Sequence, residues 1–179
     1  MNRFSPALLV LAAITSLQTA AAQASAPAAP ATMTMPAASP ASAVIINDAA
    51  ARTVRVNLIA GQGPNNNGLN YNGAAKGEKT LTVPLGWTVE IDLSNAGRAP
   101  HNALVLAGPD LPTNFNPART PFPGAATKVI APGGAAETTK FTAARPGSYY
   151  LLCGVGRHAQ NGMYLKLVVA NSLKAATYQ

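Results

Sequence analysis

The chain is poor in the residue types on which most metal, redox and charge-driven chemistry depends. It holds one cysteine and two histidines in 179 residues, and only 11% of its residues are charged and 6% aromatic. A single cysteine excludes an intramolecular disulfide and every zinc or iron–sulfur site built from several thiolates. Two histidines exclude metal centres that need three or more imidazoles. Sparse charge beside 15 Gly and 15 Pro argues against coiled coils and helix-rich architectures. Beyond the N-terminus no run of about a dozen residues has the apolar spacing of an amphipathic helix, and no segment is apolar enough to span a bilayer.

Much of the 48% hydrophobic fraction is alanine near the N-terminus, so the core-building fraction is lower and one domain is the natural count. Basic residues outnumber acidic ones 13 to 6, a balance that favours anionic partners or surfaces. They are scattered from Arg52 to Lys174 with no aromatic-rich basic stripe. Nucleic-acid binding therefore has little support.

Residues 1–22 read as a secretory signal: Arg3 gives the positive start, 7–17 (ALLVLAAITSL) the apolar stretch, and Ala20, Ala21 and Ala22 a small-residue cleavage site. The apolar run is shorter than the ~20 residues of a spanning helix, so removal is favoured over an uncleaved anchor. Membrane association is expected only if the segment stays attached. Cleavage takes Arg3 with it and lowers the formal charge from +7 to +6. Residues 23–42 are Ala, Pro, Ser and Thr with two methionines, the composition of a flexible linker. Met33 and Met35 there suit copper(I) by their thioethers, but two methionines in a low-complexity tether are more simply incidental. The rest, 43–179, is the folded domain. The chain is thus expected to be periplasmic or otherwise exported. Exported proteins usually pair their cysteines, so a lone Cys153 is buried and inert, bridged to another molecule, or held by a metal.

Short alternating segments predict strands over 53–59, 80–83, 87–93, 103–106, 127–130, 137–142, 148–153 and 164–169, separated by Pro and Gly signals. In 87–93 (WTVEIDL), Trp87, Val89, Ile91 and Leu93 oppose Thr88, Glu90 and Asp92. In 148–153, Tyr149, Leu151 and Cys153 share one face, with Tyr150 and Leu152 on the other. This many short strands with turns between them predict an all-β antiparallel sandwich. Two long irregular stretches, 60–78 (rich in Asn and Gly) and 107–126 (rich in Pro), are functional or mobile.

Cys153 ends a strand, and the loop after it places His158 and Met163 at equal steps, Cys-x4-His-x4-Met. The other histidine, His101, follows Pro100 directly before the strand at 103–106. Two imidazoles, a thiolate and a thioether are the donor set of a mononuclear electron-transfer copper site. Thiolate and thioether favour Cu(I), imidazole accepts both oxidation states, and a site fixed by the fold rearranges little when an electron arrives. Taken singly, each residue has a plainer reading: a lone Cys is more often a small buried hydrophobe, and a Met is usually core. Their conjunction in a strand–loop–strand context outweighs those readings. Zinc has little affinity for thioether. Dinuclear copper centres need a second Cys, and multicopper oxidases need many more His.

The segment 153–163 (CGVGRHAQNGM), with Pro100 and His101 upstream, resembles the cupredoxins, specifically the sulfocyanin and rusticyanin group. Residues 69–73 (LNYNG), followed by 83–89 (VPLGWTV), are similar to the FNFNG and P-x-G-W-T-V patterns of sulfocyanins. The resemblance spans about Val54 to Ala170 and implies a Greek-key β-sandwich holding one type 1 (blue) copper. His101, Cys153 and His158 would be its equatorial ligands and Met163 the axial one. Two positions depart from the pattern: Asn102 stands where Ser often follows the first His, and Tyr164 where Trp often follows the Met. The first is shared with other cupredoxins, where this Asn braces the ligand loop.

The expected function is one-electron shuttling between exported or membrane-bound redox partners, by a carrier and not an enzyme. Cys153 is expected to bind as thiolate, His158 to lie near the surface, and His101 to lie inward. Arg157 and other basic residues around His158 suit transient docking to acidic faces of a c-type cytochrome or terminal oxidase. A copper carrier or store is the alternative reading. A metal-free binding sandwich is a more distant one that leaves the exported Cys unexplained.

Overall fold

Strands β2 (Thr53–Ala60) and β4 (Thr88–Asn95) carry the clearest alternation in the chain, and their register follows from it. Val54, Val56 and Leu58 lie beside Val89, Ile91 and Leu93 in a parallel pair. All six are no more than 1% exposed. The intervening positions set Arg55 beside Glu90 and Asn57 beside Asp92 on the outer face. A one-residue slip would drive these polar side chains into the core, which is why the register is tightly specified. Strand β1 (Ile45–Asp48) pairs with β2, and β6 (Glu137–Thr142) with β4, giving a sheet of order β1-β2-β4-β6.

The second sheet is built from β3 (Thr80–Pro84), β5 (Leu104–Ala107), β7 (Gly147–Leu152), β8 (Tyr164–Ala170) and β9 (Thr177–Tyr178) in the order β5-β7-β8-β3-β9. The two sheets enclose one core that includes Val56, Ile91, Val105, Leu151 and Leu167. Each such side chain, fully buried, contributes on the order of 1.5–3 kcal/mol. This is the expected all-β Greek-key sandwich. Five strand pairings are antiparallel, while β2–β4 and β3–β8 are parallel. Strands β2 and β4 run the same way because β3, between them in sequence, belongs to the opposite sheet.

The computed structural model describes residues 43–179, so the expected signal over 1–22 and linker over 23–42, with Met33 and Met35, lie outside the described residues. Among the described residues, 127–130 is not a strand. His101 and Ile130 form an isolated bridge there, as do Leu104 and Ala126. The Thr127 hydroxyl accepts from the Ala103 N–H at 3.0 Å, a position that a ladder carbonyl would otherwise fill. Strands β1 and β9 were not anticipated from the sequence.

Strand β7 has the predicted phase. Tyr149 and Leu151 face the central core together with Cys153, whereas Leu152 joins Leu104, Leu106 and Ala159 in a second cluster on the outside of the sheet. Leu111 and Phe115, from the Pro-rich stretch, pack on that outer cluster. The stretch is therefore a cover for an apolar sheet face.

Candidate metal centre

Three segments converge at one end of the sandwich. Cys153 follows β7 directly, and its N–H donates to the Met163 carbonyl at 3.1 Å just before β8 begins. The residues between are closed by turn bonds: His158 N–H to the Val155 carbonyl at 3.0 Å, and Met163 N–H to the His158 carbonyl at 2.9 Å. A loop rich in Gly and Ala is thus tied at both ends. Gly154 has no room for a side chain, since a Cβ there would stand 2.5 Å from Leu104 Cδ2.

His101 is held from the other side. It exchanges backbone hydrogen bonds with Ile130 at 3.0 and 2.7 Å. The Asn95 amide donates to the carbonyls of Ala99 and Ile130 at 2.9 and 3.0 Å, and its oxygen accepts from the Gly97 N–H at 2.9 Å. Gly97 lies against Gly61, where a Cβ would come within 2.5 Å of the Gly97 Cα. Only a residue without a side chain permits that approach, and it seats the Asn-rich stretch 60–78 over the histidine.

That stretch is bonded to the ligand loop as well. Asn66 donates to the Asn161 carbonyl at 2.9 Å, and the N–H groups of Lys76 and Gly77 donate to the carbonyls of Gly162 and Tyr164 at 2.7 and 3.0 Å. These bonds tie the 60–78 stretch to the ligand loop.

The outcome is a compact donor group. One ligand atom from each of His101, Cys153 and His158 lies within 4.8 Å of the others. Cys153 Sγ faces His101 Nδ1 at 3.8 Å and His158 Nδ1 at 3.5 Å. The imidazole centroids are 5.0 Å apart, with the rings tilted by 51°. Donors held at the bond lengths of a first-row metal, about 2.0 Å for nitrogen and 2.3 Å for sulfur, and spread in a plane, stand roughly 3.5–3.8 Å apart. The observed nitrogen–sulfur separations fall there. Cys153 and Met163 are wholly buried, His101 is 1% exposed and His158 is half-buried. This matches the expected inward His101 and near-surface His158. Met163 shares the core cluster of Cys153 and bonds through its backbone to both Cys153 and His158.

Burial sets the protonation of these groups in the metal-free chain. Loss of solvent, with His158 alongside, lowers the His101 pKa to about 4, and burial also lowers that of His158. Both rings are therefore biased toward the neutral form that binds metals. Burial pushes the Cys153 thiol up, opposed by the backbone N–H groups of Asn102 and Val155 and by the Tyr71 hydroxyl.

Asn102 links two ligand segments: it follows His101, and its side-chain oxygen accepts from the Gly154 N–H at 2.7 Å. This is the brace that the resemblance implied for this position. The sequence marked Tyr71 only as part of the 69–73 pattern, with no role at the site. Tyr71 is fully buried and its hydroxyl donates to the Asn102 carbonyl. The available signal was a lone aromatic residue in a run of Asn and Gly.

Comparison with known proteins agrees with this fold. Residues 40–179 match the family described as the sulfocyanin (SoxE) domain. Sulfocyanin from Sulfolobus acidocaldarius is 31% identical over 134 residues, covering 69% of this chain and 67% of the relative. The crystal structure of dithionite-reduced auracyanin from Roseiflexus castenholzii superposes with a TM-score of 0.50 at 30% identity, covering 65% of this chain and 96% of that one. Auracyanin A from Chloroflexus aurantiacus, described as a blue copper protein, is 22% identical with a TM-score of 0.49, over 66% of this chain and 99% of its own. With a family match across the whole described domain and the donor group placed where the family motifs fall, the chain belongs to the sulfocyanin family of cupredoxins.

Proposed function

We propose that His101, Cys153, His158 and Met163 hold the single type 1 copper of this one-electron carrier. The observation that carries the assignment is the convergence of the chain's only cysteine and both of its histidines within 4.8 Å, on two separately braced segments. The donors suit the ion: a soft thiolate and thioether with two imidazoles serve both cupric and cuprous states. Copper bound there supplies one-electron exchange between those states.

The chain's own part is to keep the donor set fixed. Hydrogen bonds involving Asn95, Asn102 and the backbone of 153–163 tie the ligand-bearing segments to the fold. A framework fixed by the fold keeps the geometry from relaxing between states. The inventory is that of a carrier and not an oxidase, because no histidine is left for a further copper. The same bracing argues for retention of the ion over its delivery, against the reading of a copper-delivery protein.

His158 is the port for electrons, being the half-buried ligand while the others are sealed. Exposed Arg157 beside it supports transient docking to the acidic face of a redox partner such as a c-type cytochrome or terminal oxidase. Export, as the N-terminal sequence implies, places that exchange in the periplasm or outside the cell.

Adding Cu(II) to the purified protein tests the assignment. An intense thiolate-to-copper absorption is expected in the wild type and in Met163→Leu, with an altered potential in the latter, and none in Cys153→Ser. A colourless wild type overturns it. Rapid loss of Cu(I) to a weak chelator would instead support the delivery reading.

A further inference from the structure

Tyr71 lies outside the ligand set and its loop, thirty positions before His101 in sequence, yet its ring is fully buried at the metal centre. Isolated bridges with Ala60 and Ala74 hold its backbone, and the Gly61 N–H donates to the neighbouring Asn70 carbonyl at 3.0 Å. The ring is therefore anchored from the Asn-rich stretch and not from either ligand-bearing segment. A phenol in a dry core must place its hydroxyl hydrogen on an acceptor, because an unpartnered one is costly. The acceptor is the carbonyl of Asn102.

Asn102 is bound on two sides by groups that matter to the centre. Its side-chain oxygen takes the Gly154 N–H at 2.7 Å, next to Cys153, and its backbone carbonyl takes the Tyr71 hydroxyl. The residue is 4% exposed, so no solvent is at hand to take over a lost bond. A turn of the Asn102 peptide would move both the residue after His101 and the residue after Cys153. The Tyr71 hydroxyl is the group bonded to that peptide's carbonyl from outside the ligand segments.

We propose that Tyr71 is a positioning residue of the copper centre: its hydroxyl fixes Asn102, and through Asn102 the separation of the His101 and Cys153 segments. The proposal rests on the ligand assignment above. It adds a third element, the 60–78 stretch, to those that set the thiolate's surroundings and hence the potential.

Tyr71→Phe removes the hydroxyl and keeps the ring. Two readouts decide. In the metal-free protein, amide exchange at Gly154 should quicken about tenfold, as expected when a buried hydrogen bond loses its support, while exchange at Ile91 in β4 stays unchanged. In the copper-loaded protein, the thiolate absorption and the reduction potential should both move from their wild-type values. Asn102→Ala removes the Gly154 acceptor directly, so adding Tyr71→Phe to it should give no further acceleration at Gly154. The proposal is overturned by Gly154 exchange that matches wild type, or that rises in step with Ile91 as in a general loss of stability. It is equally overturned by additive effects in the double variant, or by an unchanged absorption and potential. Failure of the ligand assignment looks different, since the wild type itself would then lack the absorption while the exchange measurements would still read the Tyr71–Asn102 link.

Discussion

At Gly154 a side chain has nowhere to go, and the consequence reaches the metal centre. A Cβ would meet Leu104 Cδ2 at 2.5 Å and the Phe115 carbonyl at 3.2 Å, so Gly154→Ala must shift the chain next to Cys153. We expect a loss of about 1–3 kcal/mol, the usual cost of overpacking, read from denaturant midpoints, together with a displaced thiolate absorption. Burial separates the two histidines as sharply. In His158→Gly, external imidazole should restore the thiolate absorption of the copper protein, because that ligand is half-buried. In His101→Gly it should not, because the site of that ring is sealed at 1% exposure. The two results are compared by titrating imidazole against absorbance. The grouping of His101, Cys153 and His158 was legible in the sequence because scarcity exposed it: with one Cys and two His, these candidate ligands had few competitors. Tyr71 was not legible, because what it does depends on a contact with Asn102 that no local pattern encodes.

Among the elements, strands with one wet face announced themselves, and strands defined by their neighbours did not. The phase of β4 could be read because its apolar positions alternate strictly, whereas β7 is apolar on both faces and its phase follows from period-two geometry counted back from Cys153. Strand β9 has two residues and β1 four, too few to establish a period, and each exists because β3 or β2 offers it an edge. The parallel direction of β2 and β4 was hidden for another reason: alternation specifies a face and carries no sign of direction. On the outer face of that sheet Glu90 is bound by Arg55 at 2.7 Å and by Lys140 at 2.6 Å, and Asp92 by Arg55 at 3.3 Å. The Lys140 bond, with that of Arg55, holds the Glu90 carboxyl below the usual carboxylate range despite its burial. Its contribution is therefore complete above the unfolded carboxylate pKa of about 4.3 and is lost as pH falls through the lower folded value. Glu90→Gln should lower stability at pH 7 by about 1 kcal/mol or less, since both cationic partners are largely exposed. Thermal melts across pH should show that difference closing in acid.

For the molecule as a whole, the sandwich acts as a frame whose one end gathers ligands from β7, from the loop before β8 and from the approach to β5, with the 60–78 stretch closing over them. The basic excess, +7 in formal charge over the full chain, gives the electron-transfer reading a kinetic consequence. Reduction by an acidic partner protein should slow as salt is raised from about 0.01 to 1 M, where the screening length shrinks from about 30 to 3 Å. A rate by stopped flow that does not respond to salt would remove charge from the docking account. The central claim is that one copper, held in a fixed donor set, cycles by one electron. Its most direct test is a spectroscopic redox titration of the copper-loaded protein. The account predicts one copper per chain and a thiolate-to-copper absorption that bleaches and returns with one-electron Nernst behaviour, with copper retained throughout. An absorption that does not return, or copper released on reduction, would contradict it.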